Sequence, residues 1–275
     1  MTTSGTSTAP PRARTQDFYG EVIGNLLQTG VLNTAMRVLV LCGGKVDADV
    51  LKRNGFRDVV VSNVDPRPKR EDFLPYEWCY QDAEQLTYED GSFDFCLVHS
   101  GLHHCHSPHR ALIEMYRVAR QGLLLFEPYD NVLTRIGVRL NVGQEYEHAS
   151  TFCNGLHHGG VGNSDIPNFV YRFTEQEITK TINCYAPYAR HDIRFIHRMR
   201  VPWTQLQRRR NKSLYYVVRA AQPALKLVET CFPRQSNNFA ALVLKPELPR
   251  QLHPWLRHDG QTIRLNDQWV AARYN

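Results

Sequence analysis

Arg37-Val-Leu-Val-Leu-Cys-Gly-Gly44 is an apolar run that closes on two glycines, and Asp47–Asn54 behind it can form a helix stopped by Gly55. The order reads as strand, tight turn, helix. Outward from this stretch the pattern repeats. Val59-Val-Val61 ends at Asn63-Val-Asp65-Pro66, and Trp78, Cys79 and Tyr80 form a third candidate strand. Phe93-Asp-Phe-Cys-Leu-Val98 and Gly122-Leu-Leu-Leu-Phe126 follow. Between these two, Ser107-Pro108 supplies an N-cap and a first helical residue for a helix through Leu112, Met115, Tyr116 and Val118. Upstream, Asp17 is placed to cap a helix through Phe18, Val22, Ile23, Leu26 and Leu27 that ends near Gly30. Downstream, the capping box Thr174-Glu-Gln-Glu177 opens a helix through Ile178 and Ile182. Ile193–Ile196 and Phe239–Leu244 are late strands, with a helix through Leu214–Leu227 between them. Strands that are apolar throughout, alternating with amphipathic helices, need cover on both faces. The sequence predicts a doubly wound α/β fold, a mainly parallel sheet with helices on either side.

Composition agrees with one decorated domain. The 275 residues are 42% hydrophobic and 22% charged, which excludes disorder throughout. No window reaches eighteen consecutive apolar residues, so no membrane span is expected. Met1–Thr15, rich in Thr, Ser and Pro, reads as a solvated, disordered tail without the apolar stretch of a secretion signal, which implies a cytoplasmic protein. Seven cysteines, odd in number and without a Cys-x-x-Cys pair, read as reduced thiols. A net charge of +6 permits a polyanionic partner without demanding one. The densest basic run, Gln207-Arg-Arg-Arg-Asn-Lys212, has no interleaved aromatics and reads as a solvated face, so a nucleic-acid partner is not expected.

In an open parallel sheet, ligands lie beyond the carboxyl ends of the strands. The first run ends at Cys42-Gly43-Gly44, where missing side chains let backbone approach a ligand closely. The second leads to Asp65, whose carboxylate could accept from both hydroxyls of a ribose. The third leads to Asp82-Ala83-Glu84, where an acidic group could accept from an adenine amine. Singly, these residues are as well read as turn geometry, a helix cap and surface charges. Their order and spacing outline a nucleoside pocket.

On these residues the chain resembles the class I, Rossmann-like S-adenosylmethionine (SAM)-dependent methyltransferases of the small-molecule type. Three stretches carry the resemblance: Asp82-Ala-Glu-Gln-Leu-Thr-Tyr-Glu-Asp-Gly-Ser-Phe-Asp94, the helix region Leu102–Val118 with its His-His-Cys-His-Ser-Pro-His start, and Glu127-Pro128. It covers Arg37–Pro128 firmly and Asp17–Pro246 more loosely. It implies a seven-stranded sheet, SAM as cofactor, and methyl transfer to an N or O atom of a small-molecule or carbohydrate-type acceptor. By position, Cys42, Gly43 and Gly44 match the turn beside the methionine moiety, Asp65 the ribose acceptor, and Asp82 with Ala83 the adenine contact. Ser100 and Gly101 match the loop facing the sulfonium. The family's Gly-x-Gly-x-Gly is here Cys42-Gly-Gly-Lys-Val46, with its first and last glycines replaced. That departure leaves a second reading, a SAM-fold protein that binds a nucleoside or a partner without catalysis. A dinucleotide site lacks its Gly-x-Gly-x-x-Gly.

About 45 residues separate Pro128 from Thr174, longer than structureless loops usually run. This insertion, residues 129–173, is expected to form the acceptor pocket or its lid. A general base for a hydroxyl acceptor is sought there, in His148, His157 or His158 with Glu147 as orienting partner, or in His103 or His104 bordering the methyl group. The histidines 99, 103, 104, 106 and 109 also suggest a metal, but His106 and His109 should diverge, and no metal site is expected. Residues 247–275, with Trp255 and Trp269, should pack across the domain or onto the second subunit of a homodimer.

Overall fold

The apolar runs become strands, and their alternation builds two cores from one sheet. The structure, a computed structural model, describes residues 12–208 and 210–274. In chain order the first elements are α1 (Arg12–Gln28), β1 (Arg37–Leu41), α2 (Lys45–Arg53), β2 (Asp58–Asn63), β3 (Glu77–Tyr80), β4 (Phe93–His99), α3 (Pro108–Val118) and β5 (Ala119–Pro128). Then come α4 (Val132–Arg139), α5 (His148–Cys153), α6 (Glu175–Tyr185), β6 (Asp192–Arg198), α7 (Trp203–Arg208), α8 (Ser213–Ala220), α9 (Gln222–Cys231) and β7 (Asn238–Leu244). A small hairpin of β8 (Leu256–His258) and β9 (Ile263–Leu265) precedes α10 (Asp267–Tyr274). The seven-stranded sheet has the order β3-β2-β1-β4-β5-β7-β6. Its pairs are parallel except those of β7, which is antiparallel to β5 and to β6.

Successive strand residues point to opposite faces. Leu39, Leu41, Cys96, Val98, Leu123 and Leu125 face α3 and α6, meeting Leu112, Met115, Ile178 and Ile182. Val38, Val40, Val61, Leu97 and Leu124 face the other way and meet Val22 and Ile23 of α1 and Val50 and Leu51 of α2. Each such side chain, fully buried, contributes about 1.5–3 kcal/mol, which outweighs the few tenths that helix propensity offers per residue. The faces therefore dictate where the helices dock.

Four expectations need correction. The first helix begins at Arg12 rather than at an Asp17 cap, and Arg12–Thr15 are helical rather than part of a disordered tail. Arg12-Ala-Arg is made of good helix formers. Residues 1–11 of that tail lie outside the described residues, as does Arg209 of the basic run. The helix expected over Leu214–Leu227 is two helices parted at Ala221, because Pro223 can enter only a first turn. Ser107 is the N-cap of α3, but its side chain makes no capping bond. Glu84 from the β3–β4 connection supplies the acceptors instead, taking the N–H groups of His106 (2.6 Å) and Ser107 (3.0 Å). The capping box at Thr174 forms as expected, Thr174 Oγ1 accepting from Glu177 N–H while Glu177 Oε2 accepts from Thr174 N–H.

The insertion closes on itself. Tyr129 and Phe173 bridge, Phe173 N–H donating to Pro128 O and Asp130 N–H to Phe173 O. The C-terminal segment lies along the domain, Leu252 bridging Ala189, and Trp255 stacks on His253 and meets Trp269. Among the described residues no helix is long and apolar enough to cross a membrane.

Candidate active site

At the tip of β1 the chain turns through Cys42 (φ +50°) and Gly43. Gly43 N–H donates to Ser62 O (2.8 Å) and Asn63 Nδ2 donates to Gly43 O (3.0 Å), so the turn lies flat on the end of β2. A Cβ on Gly43 would stand 2.8 Å from Cγ1 of both Val40 and Val61. At the tip of β4, a Cβ on Gly101 would stand 2.4 Å from that of Cys42. Gly44, in contrast, faces open space at the start of α2. Cys42 and Ser100 (φ +54°) both hold a left-handed backbone with a side chain attached. This costs about 1–2 kcal/mol at each, a strain that gathers at functional sites.

Behind the turn lies a buried polar group. Asp47 Oδ2 accepts from Gly44 N–H at 2.8 Å, while its Oδ1 lies 3.8 Å from His99 Nδ1 and has no hydrogen-bond partner. Tyr19 stacks on His99 at 4.7 Å. Burial pushes the Asp47 carboxyl up to about 6, from an ordinary 3.8, although the Gly44 N–H opposes the shift. Burial, helped by the charge of Arg200, pushes His99 down to about 4. A carboxyl raised on folding favours the fold below its unfolded value and costs stability as pH rises through the folded one. Asp47→Asn keeps an acceptor for Gly44 and removes the charge. It is expected to be more stable than wild type by about 3 kcal/mol above pH 7, with the difference vanishing below about pH 4. Denaturant titrations across that range check it, and equal stabilities at pH 8 would refute the buried charge. His99 acts in the opposite direction over the same window and is common to both proteins.

Asp65 follows β2 with its carboxylate held by a neighbour. Arg67 Nε donates to Oδ1 at 2.7 Å, Arg67 Nη2 pairs with Oδ2, and Arg67 Nη1 meets His158 Nε2. Burial alone would raise the Asp65 carboxyl, but these bonds hold it below its usual range. The loop around His158 also reaches the β4 tip, where Gly160 O lies 3.4 Å from His104 Nδ1. Asp82 is exposed and its Oδ1 accepts from Glu84 N–H at 2.9 Å, while Ala83 beside it is buried.

The most connected group is one the sequence reading used only as a landmark. Glu127, at the end of β5 and 1% exposed, accepts from Gly101 N–H (2.9 Å) and Leu102 N–H (2.8 Å) through Oε1 and faces His103 Nδ1 (2.6 Å) through Oε2. His103 Nε2 and His104 Nε2 each lie 3.3 Å from Glu147 Oε2. Buried Asn168 joins the parts, its side chain donating to His103 O (3.1 Å) and its carbonyl accepting from Glu147 N–H (2.9 Å). Burial works against a charge on His103, but Glu127 and then Glu147 outweigh it and push the ring up to about 10. Burial likewise opposes ionisation of Glu147, which His103 and His104 reverse.

Two cavities adjoin at Ser100. One, of about 390 Å³, lies between α1, the β4 tip and α9, with His99, Glu127 and Arg200 in its wall. The other, of about 400 Å³, lies under the insertion. Leu133, Ile136, Val138, Val142 and Val170 line its body, and His103, Glu147, Arg200 and Asn238 its polar parts. Of the candidate bases, His103 lines this cavity, whereas His148 and His157 are exposed and His158 meets Arg67. Glu147 therefore faces His103 and His104 rather than the loop histidines. Neither cavity is lined by Cys42, Gly43, Gly44, Asp65, Asp82, Ala83 or Gly101. Of the five clustered histidines, His103 and His104 come together, while His99 packs under Tyr19 and His109 against Tyr171 and Phe173. Glu127 carried one legible signal, a carboxylate ending an otherwise apolar strand. Asn168 and Arg200 carried none.

The strand tips fit the SAM expected of them. Gly44 opens space at a helix N-terminus, the Gly43 turn admits no side chain, and Asp65 stands at the neighbouring tip. A family model for the methyltransferase domain matches residues 39–126, from β1 through β5. No curated protein sequence matches the chain. Among solved structures, the YcgJ protein from Bacillus subtilis is similar at a TM-score of 0.50 with 14% identity, over 82% of this chain and 99% of that one. A candidate methyltransferase from Bacillus halodurans C-125 is similar at 0.50 with 15% identity, over 82% and 100%. The two solved structures show the fold, and the family match makes residues 39–126 a methyltransferase domain that uses S-adenosylmethionine.

Proposed function

We propose that the protein transfers a methyl group to an O or N atom of a small molecule bound in the cavity beneath the insertion. The observation that carries this reading is that cavity itself. It starts at Ser100, has an aliphatic body, and gathers His103, Glu147, Arg200 and Asn238 in its polar part. Its volume suits one drug-sized molecule. The lining favours an apolar body with a single polar reacting end over a bare carbohydrate-type acceptor.

When bound, SAM supplies an electrophilic methyl group on a sulfonium, so the chain's task is alignment and exclusion of water. In this reading Cys42, Gly43 and Gly44 border the methionine arm, Asp65 accepts from the ribose hydroxyls, Asp82 and Ala83 meet the adenine, and Ser100 and Gly101 face the sulfonium. The insertion closes the cavity, and His103 meets the acceptor's reacting atom. The seven free thiols suit a reducing compartment, which supports the cytoplasm as the place of action.

Asp65 can serve the ribose only by releasing Arg67. Asp65→Ala is expected to weaken SAM binding by about 1–3 kcal/mol, the cost of hydroxyls left unpaired, with Arg67→Ala binding at least as tightly as wild type. Calorimetric titration with SAM checks both, and unchanged affinity in Asp65→Ala would remove the ribose assignment. The reading as a whole is tested by incubating the enzyme and SAM with a panel of aromatic and aliphatic alcohols and amines and measuring S-adenosylhomocysteine release. Release that depends on acceptor supports it. SAM binding without turnover on any member favours the non-catalytic alternative.

A further inference from the structure

We propose that His103, His104 and Glu147 bind a divalent transition-metal ion in the polar part of the cavity, with open positions directed at the acceptor. His103 Nε2, His104 Nε2 and Glu147 Oε2 all lie within 4.8 Å of one another, and both nitrogen-to-oxygen separations are 3.3 Å. Ligands held at about 2.0–2.2 Å from one ion, at angles between a right angle and the tetrahedral one, stand roughly 2.8–3.6 Å apart. The two nitrogen-to-oxygen separations fall in that range.

The partners on the far side of the two rings point the same way. His103 Nδ1 faces the Glu127 carboxylate at 2.6 Å and His104 Nδ1 faces Gly160 O at 3.4 Å, so both rings find their acceptors on the far side. Once His103 Nε2 gives its proton up to an incoming ion, both Nε2 lone pairs are turned towards Glu147. A carboxylate or a carbonyl behind a ligating imidazole is the usual way of fixing its tautomer and raising its basicity. Glu147 Oε2 is itself buried and has no hydrogen-bond partner, although two ring nitrogens stand 3.3 Å away. A cation among the three would take the place of the proton that the charged His103 ring otherwise carries on Nε2. Asn168 holds the two sources of ligands in register through His103 O and Glu147 N–H.

Two imidazoles and one carboxylate suit zinc or iron(II) better than magnesium or calcium, which prefer oxygen alone. Three protein ligands mark a site that keeps positions open for chemistry rather than a closed structural one. Resting on the methyl-transfer reading, those positions would take the acceptor's hydroxyl oxygen, and the ion would lower its pKa. The hydroxyl proton leaves to water. The new oxygen–carbon bond forms as the carbon–sulfur bond breaks, and that bond's electron pair stays on sulfur, which becomes a neutral thioether. The acceptor class is therefore hydroxyl rather than amine.

The test uses the untagged, full-length chain, stripped with chelator and titrated with cobalt(II), whose d–d absorption reports nitrogen and oxygen ligands. One ion per chain is expected, with a visible band displaced by zinc. His104→Ala and Glu147→Ala are expected to lose the band and weaken cobalt binding at least about 100-fold, beyond the 10–100-fold cost of losing an outer partner. Their circular dichroism and SAM affinity should stay as in wild type. No stoichiometric uptake by wild type, or a band that both variants keep, overturns the site. SAM affinity is read separately, so normal SAM binding without metal uptake sinks the metal site alone. Metal uptake without SAM binding sinks the methyl-transfer reading and leaves the site standing.

Discussion

His103→Asn is expected to lower turnover by about 10²–10⁴ while SAM binds as before, whether the ring's proton serves at the acceptor or the ring acts through an ion. Asparagine is chosen because its amide can still donate towards Glu127, which otherwise faces Nδ1 at 2.6 Å, while nothing replaces Nε2 on the cavity side. The variant separates chemistry from folding. His148→Ala and His157→Ala serve as controls and should stay close to wild type, since both side chains are exposed and line neither cavity. Single-turnover rates with saturating SAM, once an acceptor is in hand, provide the measurement. Full activity in His103→Asn would remove the cavity's polar part from the chemistry and return attention to the loop histidines.

The second large effect concerns stability. Glu127→Ala is expected to cost about 3–5 kcal/mol, because a side chain 1% exposed gives up the N–H groups of Gly101 and Leu102 and the ring of His103 together. Each abandoned buried donor alone costs about 1–3 kcal/mol. Glu127→Gln retains a carbonyl for the two backbone donors, so it should recover much of that stability. Its amide nitrogen, a donor, would then confront His103 and reverse the ring's tautomer, and activity should remain low. Urea titrations of both variants, read beside turnover, separate the roles. A Glu127→Ala protein as stable as wild type would mean that the β4 tip is held by other contacts.

Physically, the two residues act through one loop. Gly101 cannot carry a side chain against Cys42, so the backbone there comes close enough for Glu127 to reach two consecutive N–H groups. The same carboxylate then fixes which way the next residue's ring faces. Strain at Ser100 and satisfaction at Glu127 are opposite sides of that arrangement.

How much of this could be read beforehand depended on whether the cause was local. The seven strands and the helices on both faces are local, because apolar periodicity is carried by contiguous residues and burial enforces it. Boundaries slipped where no periodicity spoke, at Arg12 before the first apolar stripe and at Ala221, where the helical pattern ran on past Pro223. The turn residues Cys42, Gly43 and Gly44 were legible as a turn. That Gly43 is the one without room for a side chain required Val40 and Val61 to be brought beside it from two strands.

Sequence alone determined the doubly wound sheet and the methyltransferase domain of its middle block. Only tertiary structure decided that Glu84 caps α3, that Arg67 occupies Asp65, and that Glu147, 43 or 44 positions beyond His104 and His103, shares their corner. A hydrogen bond or ion pair between distant segments leaves no period in the chain. It is set by where two loops end after the cores on either face of the sheet have closed, and hydrophobic spacing encodes those cores without encoding what their edges will touch.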